Sequence, residues 1–426
     1  MCLSKTKKRI QLVALSVIFS AIVLSLWIEL TNVPRGEEPF YRSRLLNILP
    51  TGRLYSRVVG MGVHEVYFDE RLKNKQDGEQ NANLTITIIS SESGEKIVDV
   101  KQSKAASNET KTVKPRDVFV KVKDIKKSTS NVFFVETKCA TEKTAKMFNF
   151  NGEFVLNARQ CCAIESTALA NLDRTLYVFH SCPLTDNFIE RSPKYVEKLF
   201  AYPNVYVVKL NNSEIFTGTP LQELYDKKQL ETSYYPIEHT SDALRFTLLW
   251  RFGGTYCDLD VVTIKSLHGL GSNWAGMQDV RTIASGVLNF EPTGPGHEMV
   301  QRALQHMNRH FNGAGWSNNG PMLITRTALQ ECKVPSVTKA VAECKGNFTV
   351  HPNYIFYPVY YSRAFDLFDD HLGKEIVRSA KLWAYSVHIW NKLSHDKKCR
   401  VGSTQAYSLL AEEFCPRVYR NCGTRF

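Results

Sequence analysis

The order of apolar segments between Asn131 and Leu210 constrains the fold of this chain more than any other feature. Val132-Phe133-Phe134-Val135 is a compact apolar run ended by polar residues, which predicts a buried strand. Gln160 to Asn171 reads as a helix, Thr175 to His180 as a second strand, Lys194 to Ala201 as a helix and Val205 to Leu210 as a third strand. Strands that alternate with helices imply a mostly parallel sheet with right-handed crossovers, an α/β sandwich. Ligands of such sheets bind at the carboxyl ends of the strands, where the connecting loops gather. The first strand therefore directs Glu136 and Thr137 toward a candidate nucleotide site.

Further on, Pro236 opens a strong helix, Ile237 to Phe252, stopped by Gly253-Gly254. A glycine pair suits the left-handed cap that ends a helix. Thr255-Tyr256-Cys257 resumes extended structure and delivers Asp258-Leu259-Asp260. On an extended segment residues two apart point to one side, so the two carboxylates are expected to face one point. Two such charges repel unless a cation lies between them, and hard oxygen ligands suit Mg2+ or Mn2+. Asp242 and Arg245, three apart on one face of the preceding helix, are candidates to hold sugar and ribose hydroxyls. An exposed ion pair worth little is the plainer reading of those two.

The N-terminus carries a different signal. Lys5, Lys7, Lys8 and Arg9 precede an apolar run from Leu12 to Ile28, broken only by Ser16, Ser20 and Ser25. About 17 apolar residues is the lower limit for a spanning helix, and no small-x-small cleavage pattern follows the run. The expected organisation is a cytosolic tail (1–9), a transmembrane signal anchor (10–30), a lumenal stem (31–127) and a catalytic domain (128–426). The basic flank sets the tail in the cytosol and all else in the lumen, a type II single-pass topology, and so short a span suits the thinner membranes of the early secretory pathway. Ten of the 11 cysteines lie beyond the run, as do sequons at Asn83, Asn108, Asn211 and Asn347, as an oxidising lumen permits. Cys332 with Cys344 is an expected local bridge, and Cys139 with Cys161 or Cys162 a second. The stem is polar, apart from Leu84 to Ile89, a candidate strand. The formal charge of +12 comes without an aromatic-interleaved basic stripe, so nucleic-acid binding is not expected.

One family joins these features. Ser241-Asp242-Ala243-Leu244-Arg245 and Leu249-Trp250-Arg251-Phe252-Gly253-Gly254-Thr255-Tyr256-Cys257-Asp258-Leu259-Asp260 resemble the sugar-binding DXD region of α1,4-glycosyltransferases, most of all lactosylceramide 4-α-galactosyltransferases. Phe133 to Thr137, Cys162 to Ser166, Gly320 to Arg326, Phe356-Tyr357-Pro358 and Val387 to Asn391 extend the resemblance in order along the chain. It implies a Rossmann-like A-type glycosyltransferase fold and retaining transfer from a UDP-sugar to a galactose-type hydroxyl of a glycosphingolipid such as lactosylceramide. Carried over residue by residue, Asp258 and Asp260 are the metal and diphosphate site, and His388 is a further metal or phosphate contact. A buried histidine beside Trp390 is the plainer reading of His388. Asp242 and Arg245 hold the donor, with Tyr256 packing on the nucleotide sugar and Ser285 and Gly286 lining the sugar pocket. Several family members have Asn-Gly where this chain reads Ala284-Ser285-Gly286, which bears on whether galactose or N-acetylgalactosamine is the donor hexose. Cys257 replaces a more usual aliphatic residue and reads as packing.

The implied mechanism places the diphosphate of UDP-galactose or UDP-N-acetylgalactosamine on Mn2+ or Mg2+ at Asp258 and Asp260, with the acceptor hydroxyl attacking from the face UDP leaves. Two rivals stand beside it. Asp258-Leu259-Asp260-Val261-Val262 fits the nucleophile loop of a HAD-type phosphohydrolase, although that fold wants a continuous apolar strand where Gly253-Gly254 stand. A membrane-anchored sugar-binding protein without activity is the other.

Overall fold

The computed structural model describes residues 84–90, 96–102, 117–140, 152–184 and 187–426, the first two ranges by backbone alone. The span expected at 10–30 and the sequons at Asn83 and Asn108 lie outside these residues. Among the described residues no helix is long and apolar enough to cross a membrane. The chain divides into two compact units, Met1–Pro115 and Arg116–Phe426. In the first, β1 (Leu84–Ser90) and β2 (Lys96–Gln102) pair antiparallel, so the short apolar run at Leu84 is a strand.

The second unit is mixed α/β around a seven-stranded sheet that is mostly parallel. β3 (Asn131–Glu136) is central, and β4 (Thr175–His180) and β5 (Val205–Lys209) continue from it in parallel on one side. On its other side lie β6 (Gly254–Cys257), then β9 (Thr282–Phe290), β8 (Trp274–Asp279) and β10 (Thr349–His351). Of the seven, β9 alone runs against the rest. β3 is buried along its whole length, as a central parallel strand covered on both faces must be. Its alternation splits the core. Val132 and Phe134 join the cluster containing Ile164, while Phe133 and Val135 join the one containing Leu244 and Leu248. Each large side chain buried this way contributes about 2–3 kcal/mol.

The expected elements differ from the observed ones by a residue or two at their ends. α1 (Ala158–Ala170) starts at a capping box in which Asn157 and Gln160 satisfy each other's backbone amides. α2 (Lys194–Phe200) precedes β5, and α3 (Pro236–Phe252) precedes β6. Between α3 and β6 both glycines are required. Gly253 and Gly254 have φ of 66° and 105°, and a Cβ on Gly254 would stand 2.3 Å from the Asn131 carbonyl oxygen. This tight turn lets a helix over one sheet face feed directly into a central strand. α4 (Gly294–His310), α5 (Pro321–Cys332), α6 (Ala406–Phe414) and α7 (Pro416–Asn421) complete the layers.

Cys332–Cys344 is bridged as expected, but Cys139 pairs with Cys182, and Cys162 pairs with Cys415. The correction for Cys139 follows from strand register. Glu136 of β3 sits opposite His180 of β4, so the loops leaving these two parallel strands bring Cys139 beside Cys182. Cys161, one residue before a bridged cysteine, is buried and free.

Candidate metal and donor site

The Asp-x-Asp segment is not extended. It forms a turn between β6 and β7 (Val261–Thr263), with the Val261 amide donating to the Asp258 carbonyl at 3.2 Å. What brings the carboxylates together is that turn and a second small sheet. β11 (Ser386–His388) pairs antiparallel with β7, His388 opposite Val261. The Ile389 amide then donates to the Asp260 carbonyl at 2.9 Å, and the Asn391 amide donates to Asp260 Oδ2 at 2.7 Å. His388 Nε2 thereby stands 3.6 Å from Asp258 Oδ2 and 3.4 Å from Asp260 Oδ1. A ligand atom from each of the three residues lies within 4.8 Å of the others, and theirs is the one such group found among the described residues.

Behind this cluster lies a buried network from α3. Asp242 and Arg245 are 5% and 7% exposed, so their pairing is not the surface contact that spacing alone suggests. Arg245 Nε meets Asp242 Oδ1 at 3.2 Å, and its Nη1 donates to Asp258 Oδ1 at 3.1 Å. The same Nη1 donates to the Ser285 carbonyl and hydroxyl at 2.8 and 3.2 Å. One guanidinium thus ties α3, the Asp-x-Asp turn and β9 together, a task for which its rigid fork is suited. Tyr256 donates its hydroxyl to Asp258 Oδ1 at 2.7 Å, and its ring lies 4.6 Å beneath the Arg245 guanidinium. At 1% exposure that ring has no face to offer a nucleotide sugar, which corrects the expected packing role. Its influence runs through Asp258.

Two glycines make room. A Cβ on Gly286 would lie 2.7 Å from Asp258 Oδ2 and 3.3 Å from His388 Nε2. On Gly320 it would lie 2.3 Å from Asp242 Oδ1. Sequence reading placed Gly286 here and gave Gly320 no role. It also overlooked the Asn391 amide and Tyr357, whose ring centre is 5.7 Å from that of His388. Their only signal was membership of the family segments.

Burial pushes Asp258 up, but Arg245, His388 and Tyr256 outweigh it and hold this carboxyl below its ordinary value. Burial leaves Asp260 raised. Burial also pushes Asp242 up to about 7, against the pull of Arg245. For His388 the facing carboxylates of Asp260 and Asp258 overcome burial and raise the imidazole. The Trp390 amide lies 3.0 Å from His388 Nδ1, which fixes the ring with Nε2 facing the two carboxylates. Three groups converging on one point, with a glycine cradle beside them and a net negative charge, fit a divalent cation. Two carboxylate oxygens fit Mg2+ or Mn2+, and the added imidazole nitrogen suits Mn2+ better than Mg2+.

Glu136 and Thr137 stand at the carboxyl edge of β3, and their hydrogen bonds run elsewhere. Glu136 accepts from the Lys138 amide at 2.7 Å and from the Gln160 side chain, and burial pushes it up to about 7. Thr137 donates to the Ile237 carbonyl, at the start of α3, at 3.1 Å. Cys257 is buried and its thiol is pushed far up by that burial, as an apolar packing residue should be.

A parallel-rich α/β unit with an acidic Asp-x-Asp and a histidine at the carboxyl edge of its central strands defines a nucleotide-sugar type of site. The comparisons make this specific. Residues 157–280 match the glycosyltransferase sugar-binding region containing the DXD motif, and residues 292–422 match the alpha 1,4-glycosyltransferase conserved region. The chain is 30% identical to the lactosylceramide 4-alpha-galactosyltransferase of Mus musculus over 290 residues, 68% of this chain and 75% of that one. The Homo sapiens enzyme of that name is 29% identical over 68% of this chain and 76% of its own. The Homo sapiens alpha-1,4-N-acetylglucosaminyltransferase is 27% identical over 52% and 63%. Among solved structures, the PaToxG glycosyltransferase aligns with a TM-score of 0.34 at 13% identity, over 71% of this chain and 90% of that one. The galactosyltransferase LgtC aligns at 0.29 and 14%, over 68% and 96%. The chain belongs to the α1,4-glycosyltransferase family of the lactosylceramide 4-alpha-galactosyltransferases, and it is a hexosyltransferase.

Proposed function

We propose that the chain transfers galactose, or N-acetylgalactosamine, from a UDP-sugar to a terminal galactose-type residue of a glycosphingolipid such as lactosylceramide, forming an α1,4 linkage with retention. The observation that carries this reading is the convergence of Asp258, Asp260 and His388 in front of the Arg245–Asp242 pair. The names of the relatives supply the donor and acceptor classes. The run of parallel strands with one reversed strand beside β6 supports an A-type glycosyltransferase fold.

Asp258, Asp260 and His388 would hold the cation. Mn2+ bound there supplies Lewis-acid stabilisation of the charge that develops on the departing diphosphate. Arg245 fixes the Asp258 carboxylate and neutralises charge next to the leaving group. Asp242, buried beside Gly320, would accept from a hydroxyl of the donor hexose, and Ser285 and Gly286 would shape the same pocket. Glu136 and Thr137 form the nucleotide end. The acceptor hydroxyl attacks the anomeric carbon from the face UDP leaves, and its proton passes to the leaving diphosphate. No covalent nucleophile is required, and the protein contributes positioning and charge stabilisation.

The rival readings as a phosphohydrolase or an inactive sugar-binding protein draw no support from the family matches. For location, we infer a type II anchor at residues 10–30, a stem to 127 and a catalytic domain facing the Golgi lumen. The basic flank, the apolar run and the three bridges support this. The deciding experiment incubates the protein with a panel of UDP-sugars and neutral glycosphingolipids, with and without Mn2+, and determines the product linkage. An α1,4-linked product that requires Mn2+ is expected. Phosphate release from simple monoesters, without sugar transfer, would sink the reading.

A further inference from the structure

Between α4 and α5 the chain makes a loop, residues 311–320, whose composition is unusual. Asn312-Gly313-Ala314-Gly315-Trp316-Ser317-Asn318-Asn319-Gly320 has no charged residue and one large side chain. Trp316 is 46% exposed, yet the backbone around it is tightly held. Asn312 Oδ1 accepts from the amides of Ala314 and Gly315 at 2.9 and 3.0 Å. Asn319 and Asn312 exchange two hydrogen bonds, at 2.9 and 3.2 Å. The Tyr234 amide donates to the Gly313 carbonyl at 2.9 Å. A half-exposed tryptophan on so rigid a support presents an apolar ring face that a ligand can cover without reordering the loop.

The loop's position says what that is. His239 Nε2 and the Gly315 carbonyl oxygen are 3.2 Å apart, and the Gly320 α-carbon packs against the Asp242 carboxylate. His239 and Asp242 lie on one face of α3, about 4.5 Å apart along its axis. The loop therefore crosses α3 over the turn that carries Asp242, and the exposed Trp316 follows Gly315 directly within that crossing. Tyr234, 80% exposed, flanks the same loop.

We propose that Trp316 is the stacking platform for the terminal pyranose ring of the acceptor. This rests on the donor site proposed above. A pyranose ring offers an apolar C–H face ringed by hydroxyls, and an exposed indole on an uncharged loop between Gly315 and Ser317 complements that face. A membrane surface would call for basic residues around the tryptophan, and this loop has none. The acceptor must present its hydroxyl to the anomeric carbon of the donor, so its binding face has to adjoin the donor pocket, and the loop that carries Trp316 packs on Asp242 through Gly320.

The test uses lactose, a soluble galactose-terminated probe, so that sugar stacking is separated from lipid contact. Transfer to lactose and to a glycosphingolipid in detergent is measured for wild type, Trp316→Ala and Trp316→Tyr, alongside UDP-sugar hydrolysis without acceptor. Trp316→Ala should raise the KM for both acceptors about tenfold, with the UDP-sugar KM and the hydrolysis rate within about twofold. Trp316→Tyr should recover most of the loss, since a ring remains. An unchanged lactose KM in Trp316→Ala overturns the assignment. So does a fall in glycolipid turnover with lactose transfer intact, which would make Trp316 a lipid contact. A parallel rise in the UDP-sugar KM would make it part of the donor pocket instead. A wild-type protein inert toward every UDP-sugar defeats the donor site itself, a result distinct from a failure of the variants alone.

Discussion

Arg245 holds the site together. It is surrounded by Asp242, Asp258 and Ser285 and lies over Tyr256, with almost no water to share. Replacing it by methionine leaves the buried Asp242 and the half-buried Asp258 without their cation, a loss of about 3 kcal/mol. Urea denaturation should report that loss, and Arg245→Lys should recover little, because an ammonium cannot reach three acceptors in one plane. Gly286 makes the opposite kind of test. The nearest atoms to a methyl there are Asp258 Oδ2 and the His388 ring. Gly286→Ala should keep its melting temperature within a few degrees, yet weaken Mn2+ binding at least tenfold by calorimetry. Transfer should fall by about 10²–10³, the scale of losing one preorganised electrostatic contact.

At the scale of elements, Glu165 explains part of a family segment that sequence alone left without a task. Its carboxylate accepts from the Arg417 and Val418 amides at 2.9 and 2.7 Å and from the Tyr202 hydroxyl at 2.7 Å. It thereby fastens α1 to the start of α7, beside the Cys162–Cys415 bridge. Glu165→Gln keeps one acceptor oxygen and should cost about 1–3 kcal/mol in urea denaturation, with KM values unchanged. Sequence made the alternating strands and helices legible because each is a short apolar run with its own period. It also found Asp258, Asp260 and His388, through local motif and family likeness. It misjudged how the two aspartates meet, because an Asp-x-Asp that turns into a second sheet looks the same as one that stays extended. The pairing of β7 with β11 joins residues more than 120 apart, a contact no local period carries. The Cys139 bridge failed for the same reason, since only the register of β3 against β4 shows that Cys182 is the neighbour.

At the scale of the whole molecule, that same register sets a response to pH. Glu136 and His180 sit opposite each other at the carboxyl edge of the sheet, and burial shifts them in opposite directions. His180 stacks on Phe154 with ring centres 4.1 Å apart and is pushed down to about 4. Glu136 is pushed up to about 7. Between pH 6.5 and 4 the unfolded chain protonates His180 while the folded chain does not. The contribution of His180 is therefore full above pH 6.5 and is lost as pH falls through 4. Glu136 works the other way. The folded chain keeps its proton up to about pH 7, whereas the unfolded chain loses it near 4.5. Its contribution is full below pH 4.5 and is lost as pH rises through 7. Each shift corresponds to about 3 kcal/mol, and the two oppose each other over the same interval. Single variants should separate them in urea midpoints measured from pH 4 to 8. Relative to wild type, His180→Gln should gain stability progressively as pH falls from 6.5 to 4. Relative to wild type, Glu136→Gln should lose ground below about pH 7 and hold a constant difference below 4.5. Difference profiles that stay flat for both variants would mean that neither group is held in its uncharged form by the fold.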